Sequence, residues 1–381
     1  MLFNKFRLED ITDKIGDGIH GTPEYDENGE FNLVNGNNRV DGDIVFKNDT
    51  KKINKEQYVK NKRDLNNNTL LVSINGTLGN VAKYKNEKII LGKSACYINV
   101  KYEFNVDYVY FVFVSPAFKK YLQYGANGTT IKNVPLSAIR NYEISIPSKE
   151  NQDKIVKILK TIEDKIKLNN KINNNLYEMG DNLYNEYFGK YKDNLPSDYK
   201  IVKLNEVADN YDSKRKPMSS REREQHKGIY PYYGATSIID YVDNYIFDDT
   251  YLLMGEDGTV KTDDGYPVLQ YIWGKNWINN HAHVLKGKKI STELLMFALR
   301  KINIENIITG AVQPKINQEN MNKIEFIIGS DSKNKELEVI LKNLMDKSKK
   351  IIEENERLEQ LRDTLLPKLM NGEIDLDNIG I

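Results

Sequence analysis

The chain has 381 residues, with 55 Lys and Arg against 55 Asp and Glu, and a single cysteine, Cys96. Zero net charge excludes a protein that holds nucleic acid by bulk charge, and equally an acidic nucleic-acid mimic. One cysteine excludes an intrachain disulfide framework and fits a reducing compartment. The opening MLFNKFRLED lacks the apolar core of a secretory signal, and no apolar run nears the roughly 20 residues of a membrane span, so a soluble cytoplasmic protein of two or three domains is expected.

Residues 1–148 read as a first mixed α and β globule. Short strands are predicted at Thr69–Ser73, Ile89–Leu91 and Ala95–Val100, separated by the turn signals Asn75-Gly76 and Asn127-Gly128, with a helix over Val106–Gln123. Residues 149–189 follow as one long helix. Apolar residues at Ile155, Leu159, Ile162, Ile166, Ile172, Leu176, Met179 and Leu183 step by threes and fours along a narrow stripe, and no proline interrupts them. At about 1.5 Å per residue such a helix is roughly 55 Å long, too long for a single crossing of a small core.

Residues 190–331 comprise a polar linker with Pro196 and a second globule. Strands are predicted at Tyr251–Met254, Ala282–Leu285 and Ile324–Ile328, and a helix at Thr292–Arg300. Residues 332–371 form a second long helix striped by Leu337, Leu341, Leu344, Ile351, Leu358 and Leu365, with Ser348 and Asn355 at seam positions; Asn169 interrupts the first seam in the same way. Polar residues on a seam lower stability and fix register. Two narrow stripes in one chain are simplest to satisfy by packing on each other, antiparallel. Two separate amphipathic helices, each against its own globule, are the plainer alternative. Residues 372–381 are a short acidic tail.

The globules repeat. Leu70–Thr77 matches Leu252–Thr259, and 128–146 matches 310–328, both at an offset of 182. The fold class expected is therefore α+β: two related mixed α/β domains and two long antiparallel coiled-coil helices with pseudo-two-fold symmetry, a shape suited to a ligand with dyads such as duplex DNA and equally to two copies of a protein partner.

Catalytic signatures are missing. His281 and His283 place two imidazoles on one strand face, but no carboxylate or cysteine shares the motif, so they read as packing histidines and no metal site is assigned. Gly92-Lys93-Ser94 lacks the upstream glycine of a phosphate loop, and no nucleophile elbow or methyltransferase motif occurs. What remains are glycine-flanked polar loops whose Asn, Gln, Thr and Lys side chains suit base edges, and basic clusters suited to phosphates. The candidate DNA contacts are Gly18, His20, Gly21 and Thr22; Gly76, Thr77, Asn80 and Lys83; Asn127, Gly128, Thr129, Thr130 and Lys132; Lys214, Arg215 and Lys216; Tyr232 and Tyr233; Gly258, Thr259 and Lys261; and Gln313 and Lys315.

Five motifs in order carry a resemblance. Asp17-Gly18-Ile19-His20-Gly21-Thr22-Pro23, Pro231-Tyr232-Tyr233-Gly234-Ala235-Thr236, Asn279-Asn280-His281-Ala282-His283, Ile146-Pro147 leading into Gln152, and Leu365-Leu366-Pro367-Lys368-Leu369-Met370-Asn371-Gly372 resemble the DNA-specificity subunit of type I restriction-modification systems. Ile327-Ile328-Gly329-Ser330 departs from the pattern, lacking a proline at the entry to the second helix. The resemblance implies a non-catalytic subunit. Each globule is expected to read half of a bipartite asymmetric site on double-stranded DNA, about one helical turn apart, while the helix pair sets the spacing and docks two methyltransferase subunits. Motor-nuclease restriction subunits would join them. S-adenosylmethionine, ATP and magnesium would serve those partners, with no cofactor on this chain. A related system with a fused methylase-nuclease, a self-sufficient DNA enzyme and a non-DNA scaffold are the competing readings.

Overall fold

Strands Thr69–Ser73 and Ala95–Val100 are buried along their whole length, so their sequences read as apolar runs rather than as alternation. The alternation is in what each face meets. Leu70, Val72, Cys96 and Ile98 pack under helical residues Tyr108 to Phe118, while Leu71, Ala95 and Tyr97 pack against Val34, Ile89 and Leu91. The same division recurs in the second half, where Leu252, Met254 and Leu285 meet the helix Thr292–Leu299 and Leu253, Ala282 and Val284 face Phe247 and Ile278.

This computed structural model describes residues 2–40, 42–127, 132–310 and 312–376. The chain divides into two compact units, Met1–Lys167 with Asn355–Ile381, and Leu168–Glu354. Each unit therefore contains part of each long helix.

In the first unit, Phe3–Arg7 pairs antiparallel with Glu143–Pro147. A four-stranded antiparallel sheet runs Thr12–Asp17, Ala95–Val100, Thr69–Ser73, Val81–Lys83. A third sheet holds Lys52–Ile53, Phe31–Val34 and Ile89–Leu91, the last two parallel. The second unit repeats this plan. Lys200–Lys203 pairs with Glu325–Ile328, the four-stranded sheet runs Ala208–Asn210, Ala282–Gly287, Tyr251–Gly255, Leu269–Ile272, and the third sheet contains a parallel pair, Lys227–Tyr233 with Lys275–Ile278. The halves are thus related by topology as well as by their shared offset.

The region expected as one helix at Val106–Gln123 is two, Val106–Val114 and Pro116–Gly125. Proline disfavours a helical conformation in the residue before it, and Ser115 is extended, with ψ 150°. Ser115 then caps the second helix by accepting from the Phe118 N–H.

The long helices span Lys149–Tyr187 and Asp331–Met370. Without an entry proline, the second is anchored by Asn334, whose side chain accepts from the Gly329 N–H at 3.0 Å and donates to its carbonyl at 3.1 Å. Within the first unit Ile155 and Leu159 share a core with Leu366 and Leu369; within the second, Tyr184 and Phe188 share one with Leu337 and Leu341. Start packs against end in both cases, so the segments run antiparallel.

Ile162, Ile166, Leu176 and Ile351 are buried, and Ile172, Leu183, Leu344, Leu358 and Leu365 are half-buried. Met179 departs from the expected seam, being 51 % exposed. Gly180 takes the inward position and lies against the ring of Phe297. The polar seam residues Asn169, Ser348 and Asn355 are buried, joined by Asn173. Asn169 donates to Glu354 Oε2 at 2.8 Å, a bond that holds register within the second unit.

Candidate nucleic-acid interface

Each four-stranded sheet leads into a pair of loops tied by backbone hydrogen bonds. In the first unit the Gly76 N–H donates to the Lys132 carbonyl at 3.1 Å, Val134 to Ile74 at 2.8 Å, and Asn127 and Asn133 exchange two bonds of 2.8 Å. In the second, Gly258 donates to Pro314 at 3.0 Å, Ile316 to Glu256 at 2.8 Å, and Thr309 and Lys315 exchange bonds of 2.8 and 2.7 Å. Every partner is displaced by the same 182 residues. Gly76 and Gly258 turn the chain at φ 73° and 76°, a region a side chain would strain, which explains glycine at both.

The side chains these loops present are unlike. The first unit has a cleft of about 500 Å³ lined by Asp17, His20, Asn75, Lys93 and Asn133. His20 Nε2 bonds Asp17 Oδ2 at 2.8 Å. At the corresponding place the second unit holds a charge network. Arg215 donates to Glu256 Oε2 at 2.6 Å and to the Ala282 carbonyl at 2.7 Å. Lys315 Nζ lies 3.4 Å from Glu256 Oε1. His283, 1 % exposed, uses Nδ1 on Asp212 Oδ2 at 2.6 Å and Nε2 on the Ile316 carbonyl at 2.8 Å. Burial raises the Asp212 carboxyl, but the hydrogen bond to His283 and its electrostatic attraction hold it below the usual carboxylate range.

Asp212, Glu256 and His283 offer ligand atoms within 4.8 Å of one another. Arg215 and Lys315 already balance Glu256, however, and both ring nitrogens of His283 are engaged, so a cation would have to displace a guanidinium. These three groups are therefore a structural ion network. The histidine pair of the sequence also separates here. His281, half exposed, lies just before the strand and bonds Asp257 Oδ1 at 2.5 Å, whereas His283 points inward to different carboxylates.

Several candidate contacts face solvent: His20, Gly21, Thr22, Gly76, Thr77, Asn127, Lys132, Lys214, Lys216, Gly258, Thr259, Gln313 and Lys315. Asn80 and Tyr233 are half-buried. Gly128, Thr129 and Thr130 lie outside the described residues.

Others are committed inward, against expectation. Arg215 is turned into the charge network between its exposed neighbours. Tyr232 is buried, its hydroxyl accepting from the Met218 N–H at 2.9 Å, so its ring cannot stack on a base. Lys83 is held at 2.7 Å by Asp107 and lies 4.5 Å over the Tyr110 ring. Gly18 is buried, donating to the Ala95 carbonyl at 2.9 Å. Lys261 stays exposed and, like Lys315, carries an ion-pair partner, here Glu305. Asn75, Lys93, Asn133 and Asp257 are not among the contacts expected from sequence, yet the structure sets them at these sites. The 182-residue offset leads from Lys315 to Asn133 and from the Asn75-Gly76 turn to Asp257-Gly258, whereas the sequence sets Gly92-Lys93-Ser94 aside for want of an upstream glycine.

A family model for the type I restriction modification DNA specificity domain matches residues 2–178 and 196–361. A Haemophilus influenzae chain assigned as a type I restriction enzyme specificity subunit is 35 % identical over 126 residues, 33 % of this chain and 32 % of the relative; the match thus spans about a third of that protein's length. A crystal structure of the type I restriction-modification S subunit from M. genitalium superposes with a TM-score of 0.58 at 19 % identity, covering 97 % of this chain and 96 % of that one, and so shares the fold. With both halves matched by the one model and both built on the one topology, the chain belongs to the type I restriction-modification DNA specificity domain family.

Proposed function

We propose that this chain is the DNA-recognition subunit of a type I restriction-modification complex, each unit reading one half of a bipartite, asymmetric site. One observation carries this reading: an identical hydrogen-bonded loop pair recurs in the two units at a fixed offset, yet presents different side chains. A conserved frame with exchanged contents suits two half-sites of unlike sequence. Protein groups position themselves on phosphates and read sequence from base edges. Lys132, Lys214 and Lys216 fit the first role, and the side chains at the loop tips fit the second.

The chain itself performs no chemistry in this reading. Two methyltransferase subunits, docked on the long helices, would use S-adenosylmethionine, and restriction subunits would use ATP and magnesium. Equal numbers of basic and acidic side chains imply that much of the phosphate affinity comes from those partners. No helix among the described residues is long and apolar enough to cross a membrane; acting on chromosomal DNA, the complex would work in the cytoplasm.

The test is to express the chain with the methyltransferase encoded beside it, in a host lacking other modification systems, and to map modified adenines. A single bipartite motif, absent when this chain is omitted, is the expected result. Assembly with the methyltransferase but no sequence preference would refute the proposal.

A further inference from the structure

We infer that one opposed pair of positions reads a base pair in each half-site, and that its contents set which pair: Asn75 with Asn133 takes an A·T pair, and Asp257 with Lys315 takes a C·G pair. This rests on the reading of the chain as a DNA-recognition subunit. Asn75 and Asn133 form an isolated antiparallel bridge, as do Asp257 and Lys315. Both members are displaced by 182, so the two pairs occupy one place in the repeated frame. The flanking backbone bonds fix their separation, and the adjoining Gly76 and Gly258, without side chains, let the loop tip approach a groove floor closely.

The chemistry differs. The carboxamides of Asn75 and Asn133 line the first unit's cleft, and neither has a hydrogen-bond partner among the described residues. One carboxamide both donates and accepts, matching the adenine N6 amino group and N7 together, while a second can donate to thymine O4. Asp257 can only accept. Its Oδ1 is held by His281, which leaves the other oxygen for the cytosine N4 amino group. Lys315 can only donate, and O6 and N7 of the paired guanine are acceptors. Glu256, 3.4 Å from Lys315 Nζ, steadies the ammonium beside Asp257. With the pair reversed to G·C, the Asp257 carboxylate would face the acceptors O6 and N7 of guanine and the Lys315 ammonium the cytosine N4 donor, leaving like against like. An A·T pair would still offer Asp257 the adenine N6 amino group but give Lys315 one acceptor, thymine O4, in place of the two of guanine.

The experiment transplants one pair into the other frame, Asn75→Asp with Asn133→Lys, in the complex with the methyltransferase. Modified-base sequencing should show one position of one half-site change from A·T to C·G, with the other half unaltered. Asn75→Ala and Asn133→Ala, checked for unchanged assembly by light scattering, should relax the same position by about tenfold in modification rate. The reverse exchange, Asp257→Asn with Lys315→Asn, should convert one position of the other half-site and decides the matter if the first exchange does not assemble. Alanine variants that leave the motif intact, or exchanges that alter a position other than the one relaxed by alanine, overturn the inference. A wild-type complex with no bipartite motif would instead overturn the broader reading on which it rests.

Discussion

Gly180→Ala sets two known effects against each other at one site. Alanine is favoured over glycine within a helix by about 1 kcal/mol. An added Cβ, however, would lie 2.2 Å from Phe297 Cζ and 2.3 Å from Cε1, distances that force a displacement. The ring has little room to move. Phe297 is fully buried, Tyr177 stands 6.3 Å from it between centroids, and Arg300 lies 4.9 Å over Tyr177 while fixed to Asp181 by bonds of 2.7 and 3.1 Å. Overpacking of a core of this kind costs about 1–3 kcal/mol. The net expectation is a loss of about 1 kcal/mol, the middle of the range of about 0–2 kcal/mol left after the gain in helix propensity. Both tryptophans, Trp273 and Trp277, lie in the second unit, so fluorescence in urea reports that unit directly. The midpoint should fall by about half a molar. Phe297→Leu should lessen the penalty in the double variant, because the two sites interact. A midpoint equal to or above wild type, or strictly additive losses, would refute the contact as the reason glycine stands there.

Arg215→Met removes the cation from a pair of carboxylates and should destabilise the second unit by about 3–5 kcal/mol, read by the same fluorescence transition. A phosphate contact would behave otherwise, leaving stability intact and lowering the salt slope of DNA binding by about one; that outcome would overturn its placement. Burial raises the Asp107 carboxyl, but Lys83 and Lys160 more than offset this and hold it below the usual range. A depressed folded pKa contributes stability above the unfolded value, about 3.9 for aspartate, and loses it as pH falls through the folded value. Asp107→Asn should therefore be less stable than wild type at pH 7, and the difference should narrow below about pH 4. An equal difference in urea midpoint at pH 7 and pH 3 would count against the ion pair.

The long helices were legible because their signal is local. A step of three or four residues places side chains on one stripe whatever the surroundings, and Ile155, Leu159, Leu337 and Leu341 are buried as that rule requires. The paired loops were legible because their turns need glycine at Gly76 and Gly258, and the requirement repeats at a constant offset. Failures arose where a neighbour distant in sequence decided the matter. Met179 fits the stripe by spacing, but the bulk of Phe297 gives the inward place to Gly180. Lys214-Arg215-Lys216 reads as one basic cluster, yet Glu256 draws the middle residue inside. Tyr232 looks like a stacking ring until Met218 is seen to occupy its hydroxyl.

By itself the sequence determined the repeat, the two long helices and the family, because periodicity, turn chemistry and ordered motifs are properties of residues close along the chain. Only the tertiary structure decided which polar groups stay free to meet a ligand. A side chain is spent or available according to partners brought to it from elsewhere: Glu256 and Ala282 for Arg215, Ile316 and Asp212 for His283, Asp107 for Lys83. Ion pairs and hydrogen bonds form over a few ångströms of space, and the folded backbone alone sets those distances.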